Sequence, residues 1–136
     1  MQDFRRKRYS VSWLTVHLVF VTKYRRKVFD AAVLDWLRGH FEKVCETMDC
    51  QLLACDGEAD HLHSVVEYPP KLAISVLVNA LKGTSSRLLR RHYPDIASRY
   101  YDGVLWSPSY FAASTGGAPL EVIRRYVEQQ RASRGS

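Results

Sequence analysis

The sequence predicts a single α+β domain of the split-βαβ, ferredoxin-like type: an antiparallel sheet with two helices on one face, plus a C-terminal helix. Three observations predict it. Runs rich in β-branched and aromatic residues alternate with two long segments whose apolar residues recur at helical spacing. The order of these segments is strand, helix, strand, strand, helix, strand. The chain has 136 residues and is 46% apolar, enough for one core and too short for two independent ones.

The elements follow in order. Residues 1–10 read as a basic arm carrying Arg5, Arg6, Lys7 and Arg8. Residues 11–22, from Val11 to Thr22, alternate and are dense in Val, Phe and Trp, which predicts the first strand. Lys23 to Lys27 form a basic turn. Asp30 is placed to cap a helix over 31–48, with Val33, Leu34, Leu37, Phe41, Val44 and Cys45 on its inner face. Strands follow over 51–58 and 61–68, and Pro69-Pro70 ends the second, because proline has no ladder donor. A second helix spans about 72–92 and stops at Tyr93-Pro94; a short irregular or helical stretch comes next. The fourth strand is expected over 104–113, and Ser114 to Gly117 form a flexible break. The last helix covers 118–131 with Pro119 in its first turn, and 132–136 are a tail.

Composition narrows the function classes. Twenty basic against fourteen acidic residues leave a net charge of +6 and a pI near 9.4. Such a surplus suits a polyanionic partner or, equally, a solvated surface with no partner. No apolar run reaches the roughly 18 residues of a membrane span, so a cytoplasmic protein without membrane contact is expected. Cys45, Cys50 and Cys55 are odd in number and five apart, a spacing that suits neither a disulfide framework nor a CxxC metal knuckle.

Three local patterns carry chemistry. Asp60-His61-Leu62-His63 lies on an expected strand, where residues two apart share a face. The two imidazoles there are either half of a divalent-metal site or surface histidines that happen to alternate. On the last helix Tyr126 and Gln130 are four apart and therefore stacked, a nucleophile beside a ligand or simply the edge of a core stripe. Lys82-Gly83-Thr84-Ser85-Ser86-Arg87 is a basic, small-residue helix face that could grip phosphates or merely be solvated. Trp106, Tyr110 and Phe111 on the fourth strand are candidates for base stacking or for core packing.

Taken together, these pieces resemble the single-tyrosine HUH (His-hydrophobic-His) transposases of the bacterial insertion-sequence 200/605 family. The matching segments are Lys23-Tyr24-Arg25-Arg26, Asp60 to His63, Leu81 to Arg87, Trp106 to Phe111 with Thr115 to Gly117, and Tyr126 to Gln130, in family order along nearly the whole chain. Ala59 stands where many relatives have proline, and Ser64 where many have an apolar residue. The resemblance implies that Tyr126 is the nucleophile, that His61, His63 and Gln130 hold Mg²⁺ or Mn²⁺, and that Lys23, Arg25, Arg26, Lys82, Ser86, Arg87, Arg124 and Arg125 contact DNA. It also implies a homodimer with shared active sites acting on hairpin ends of single-stranded DNA, through a 5′-phosphotyrosine intermediate. The readings weighed against it are a domesticated endonuclease cutting repeat hairpins, a non-catalytic single-strand binder on the same fold, and a phosphoesterase using metal-activated water.

Overall fold

The computed structural model describes residues 4–100 and 102–114. Along that stretch the order is β1 (Arg5–Lys7), β2 (Ser10–Ser12), β3 (Leu14–Val21), a 3₁₀ turn (Lys23–Arg25), α1 (Ala31–Thr47), β4 (Gln51–Glu58), β5 (His61–Tyr68), α2 (Ile74–His92), α3 (Pro94–Arg99) and β6 (Phe111–Ser114). The main sheet runs β4-β5-β3-β6, and every neighbouring pair in it is antiparallel. This is the split-βαβ, ferredoxin-like order that the sequence predicts. Among the described residues no helix is long and apolar enough to cross a membrane. The expected helix 118–131 and the tail 132–136 lie outside the described residues.

Alternation divides the sheet into two unlike faces. Val16, Leu18 and Phe20 of β3 and Leu62 and Val66 of β5 are buried in one cluster with Val33, Leu37 and Phe41 of α1 and Leu77, Val78, Leu81 and Leu89 of α2. The other face carries Val19 and Val21, packed with Phe111 in a small separate cluster, together with His17, His61 and His63. Asp30 caps α1 as expected, accepting the Val33 amide at 2.9 Å. Between Leu52 and Ala54 the register of β4 against β5 shifts by one residue, a bulge that absorbs Leu53.

Three expectations are corrected. The N-terminal basic arm is a hairpin, β1 against β2, separate from the main sheet. Its anchor is Arg5, whose guanidinium forks onto Glu67 at 2.6 and 2.8 Å and also reaches Asp49 at 2.9 Å. Glu67 is buried and acceptor-only, so it demands a cation, and the chain folds back to supply one. The first strand consequently begins at Leu14, not Val11.

The expected strand 104–113 pairs only from Phe111. Before that the chain crosses the sheet end irregularly, touching it through a single bridge between Thr22 and Trp106. Pro108 cannot donate to a ladder, and the Lys82 ammonium takes the carbonyl oxygens of Ser107 (2.6 Å), Pro108 (3.3 Å) and Ser109 (3.5 Å). The buried Trp106 indole donates to Ser85 Oγ at 2.9 Å, which ties this segment to α2. Finally, α2 begins at Ile74 instead of about 72. The short stretch after Tyr93, expected as irregular or helical, is the helix α3.

The β4–β5 turn leaves no room at Gly57, where an added Cβ would collide with the His61 carbonyl and press on Leu34. Gly57→Ala is therefore expected to lower stability by about 1–3 kcal/mol through strain at a packed position. Urea unfolding of the variant against the parent measures it.

Candidate active site

The site begins at the two-residue turn Ala59-Asp60, between paired Glu58 and His61. The turn is fastened from outside by the loop after β3. Thr22 gives both its amide (2.9 Å) and its hydroxyl (3.2 Å) to the Asp60 carbonyl, and the Phe29 amide donates to Ala59 at 3.0 Å. The Asp60 side chain is buried between two donors. Arg25 Nε reaches Oδ2 at 2.7 Å and a terminal guanidinium nitrogen reaches it at 2.6 Å, while His61 Nδ1 lies 2.9 Å from Oδ1. Burial opposes ionisation of this carboxyl, but the hydrogen bonds from His61 and Arg25 and the arginine's charge win, holding its pKa below the usual carboxylate range.

An ionised carboxylate only accepts, so the His61 Nδ1 must carry the proton. The opposite nitrogen, Nε2, then faces the open side of the sheet, 3.5 Å from the exposed Glu58 carboxylate. His63, two residues on, projects from the same face and pairs across the ladder with Asp56 on one side and Val19 on the other. Both histidines are partly buried on the inner strand β5, with Asp56 and Glu58 opposite them on β4.

This donor set fits half of a divalent-cation site: two fixed imidazoles, one with a carboxylate locking its far nitrogen, near two further carboxylates. It is only half. Among the described residues no three His, Cys, Asp or Glu side chains converge on one point. Gln130, the expected further ligand, and Tyr126, the expected nucleophile, lie outside the described residues, as do Arg124 and Arg125.

A third histidine, outside the motifs that the sequence offers, belongs to this face. His17 of β3 packs its ring against His63, centroids 5.6 Å apart. Its Nε2 is buried without a hydrogen-bond partner. The signal was the parity of His17 with Val19 and Val21, which becomes meaningful only once β3 is known to lie beside β5.

Known proteins resemble the chain in sequence and in fold. A family model described as IS200-like transposase matches residues 10–130. The chain belongs to the IS200-like transposase family. It is 32% identical over 114 residues to the transposase for insertion sequence element IS200 of Salmonella typhimurium, covering 84% of this chain and 74% of that one. It is 29% identical over 128 residues to the ISDra2 transposase TnpA of Deinococcus radiodurans, covering 94% and 91% respectively. The crystal structure of a Deinococcus radiodurans transposase superposes with a TM-score of 0.86 at 29% identity, over 93% of this chain and 97% of that one. A REP-associated tyrosine transposase, solved with a REP hairpin, shares the fold at TM-score 0.55 and 16% identity.

Within this transposase chain, most of the basic residues picked out by sequence have partners inside the fold. Arg25 is committed to Asp60. Lys23 pairs with Asp102 at 2.8 Å on the surface. Arg26 lies between the rings of Tyr24 (4.7 Å) and Tyr100 (5.0 Å). Lys82 is half-buried among carbonyl oxygens, and burial pulls its pKa below that of an ordinary lysine. Ser86 Oγ accepts the Leu105 amide at 3.2 Å. Arg87 is exposed on α2.

Three histidines are held below the ordinary imidazole value of 6.5: His17 by burial and by His63, His63 chiefly by burial, and His40 by burial with the charges of Lys43 and Arg87. The unfolded chain takes up their protons first as pH falls through 6.5, so folding stability rises with pH across that window and levels off above it. The urea midpoint is expected to be lower at pH 5.5 than at pH 7.5. His40→Gln, which keeps a donor for Thr84, should narrow the gap.

Proposed function

We propose that this chain is a single-tyrosine transposase that cleaves and rejoins single-stranded DNA at hairpin ends of an insertion sequence. The observation that supports this reading most directly is the rigid imidazole pair of His61 and His63, with His61 oriented by buried Asp60, in a chain of the IS200-like family. The family's expected nucleophile position is occupied by Tyr126.

The reaction is a transesterification. The Tyr126 oxygen attacks a backbone phosphorus; the bond from phosphorus to the neighbouring 3′ oxygen breaks, and that strand leaves as a free 3′-OH. The other strand stays on the enzyme as a 5′-phosphotyrosine. A phenol has a pKa of about 10 and is mostly protonated at neutral pH, so the site must favour its ionised form and absorb charge on the phosphate. His61, His63 and Gln130 would hold Mg²⁺ or Mn²⁺, which when bound draws charge from the non-bridging phosphate oxygens. Asp60 and Arg25 keep the His61 ring in the orientation that presents Nε2. Arg87, Arg124 and Arg125, with Lys23 and Arg26 at the sheet end, supply positive charge along the DNA path. The covalent link conserves the phosphodiester, so rejoining to a new 3′-OH needs no nucleotide triphosphate. The chain acts as a homodimer, with the tyrosine of one subunit serving the histidine pair of the other.

Incubation with a single-stranded hairpin oligonucleotide and Mg²⁺ or Mn²⁺ should give a covalent protein–DNA band on a denaturing gel, absent in Tyr126→Phe. A parent chain that cuts without such a band would be using water instead. Mixing Tyr126→Phe with His61→Ala subunits should restore part of the cleavage if sites are shared, and none if each subunit works alone. Asp60→Asn should weaken Mn²⁺ binding about 10- to 100-fold, the range for loss of a ligand-orienting carboxylate, read by calorimetric titration without DNA.

A further inference from the structure

Two exposed tyrosines flank β3, and each carries a guanidinium on its ring. At the N-terminal side the β1–β2 hairpin presents Tyr9, 87% exposed, with Arg8 lying 5.2 Å from its centroid. At the C-terminal side the 3₁₀ turn presents Tyr24, 43% exposed, with Arg26 at 4.7 Å and the Lys23 ammonium at 5.2 Å. Neither tyrosine is among the buried core residues.

Both stand on backbone that the fold fixes. The hairpin is pinned by the Arg5 fork onto buried Glu67 and by Asp49, so Tyr9 stands on an anchored element. Tyr24 and Arg25 occupy consecutive left-handed conformations, φ 68° and 51°, which non-glycine residues adopt at a cost. That reversal sends Arg25 inward to Asp60 and leaves Tyr24 at the surface.

We infer that Tyr9 and Tyr24 are stacking posts for unpaired bases of single-stranded DNA, Tyr24 in the turn whose Arg25 reaches Asp60 beside His61, and Tyr9 at the tip of the N-terminal hairpin. Base–aromatic stacking tolerates any sequence because every base has a π face, and the adjoining guanidiniums neutralise phosphates on either side. β5, which carries His61 and His63, is paired along the whole of β3. The inference rests on the DNA reading above and adds which part of the substrate these two rings hold: the unpaired flank beside the hairpin.

The test measures affinity of the full chain for two DNAs, a hairpin with a single-stranded flank of about ten nucleotides and the same hairpin with blunt ends. Tyr9→Ala and Tyr24→Ala are each expected to weaken binding of the flanked hairpin about tenfold and to leave the blunt one unchanged. Tyr9→Trp and Tyr24→Trp, which keep an aromatic face, should bind as the parent does. Alanine variants that match a binding parent on the flanked DNA overturn the stacking posts alone. So does an equal loss on both DNAs, which marks a general structural role, and so does a shift of Tyr9→Ala from dimer to monomer on gel filtration, which makes the hairpin a subunit contact. A parent that binds neither DNA overturns this inference and the DNA reading together.

Discussion

The fold's working end depends on one buried carboxylate. Asp60 joins three parts of the chain that are far apart in sequence: the loop after β3 through Thr22 and Arg25, the β4–β5 turn of which it is half, and the first histidine of β5. A charge buried this deeply is tolerable only when it is paired and hydrogen-bonded on every side. Each group that satisfies it is therefore fixed in turn, including the ring plane of His61 and the strained backbone at Arg25. The proposed metal half-site and a strong local folding constraint are here the same set of atoms.

The basic character of the chain takes a different meaning once these partners are known. A surplus of positive charge invites a picture of cations waiting for phosphate. Several of the cations instead hold the protein together: Arg5 closes the hairpin on Glu67, Arg25 neutralises Asp60, and Lys82 gathers three carbonyls of a segment that cannot form a ladder. These interactions shape the surface on which exposed residues such as Arg87 and Arg8 stand. Cation–π contacts at Tyr9 and Tyr24 are the point where the structural and the proposed binding roles of charge meet.

Much of this was legible in the sequence, where the physics is local. The Asp30 cap, the apolar period of α1 and α2, and the parity of His61 and His63 each depend on neighbours within a few positions, and they read correctly. What was hidden depended on distant partners. Residues 104–110 have, apart from Pro108, the composition of a strand, and the Lys82 ammonium and the Trp106–Ser85 bond complete the reason why their backbone turns away from the ladder. Arg5 looked like one more basic residue of an arm, because nothing local announces that Glu67, 62 positions later, will be buried and unpaired without it. His17 needed strand order before its place beside His63 had any meaning.

The bulge at Leu53 shows how narrowly chemistry and packing are separated. Side chains on a strand alternate, so a regular β4 keeping Leu52 inward would turn Asp56 and Glu58 toward the helices and Cys55 and Gly57 toward the histidines. By swallowing a single residue the bulge resets the phase, and acids face the histidines while small side chains face the core. The position that does this, Leu53, touches no part of the proposed reaction and is largely exposed. An insertion or deletion there would act like a frameshift written in side-chain direction: the same residues, in the same order, with the reactive and the packed surfaces exchanged.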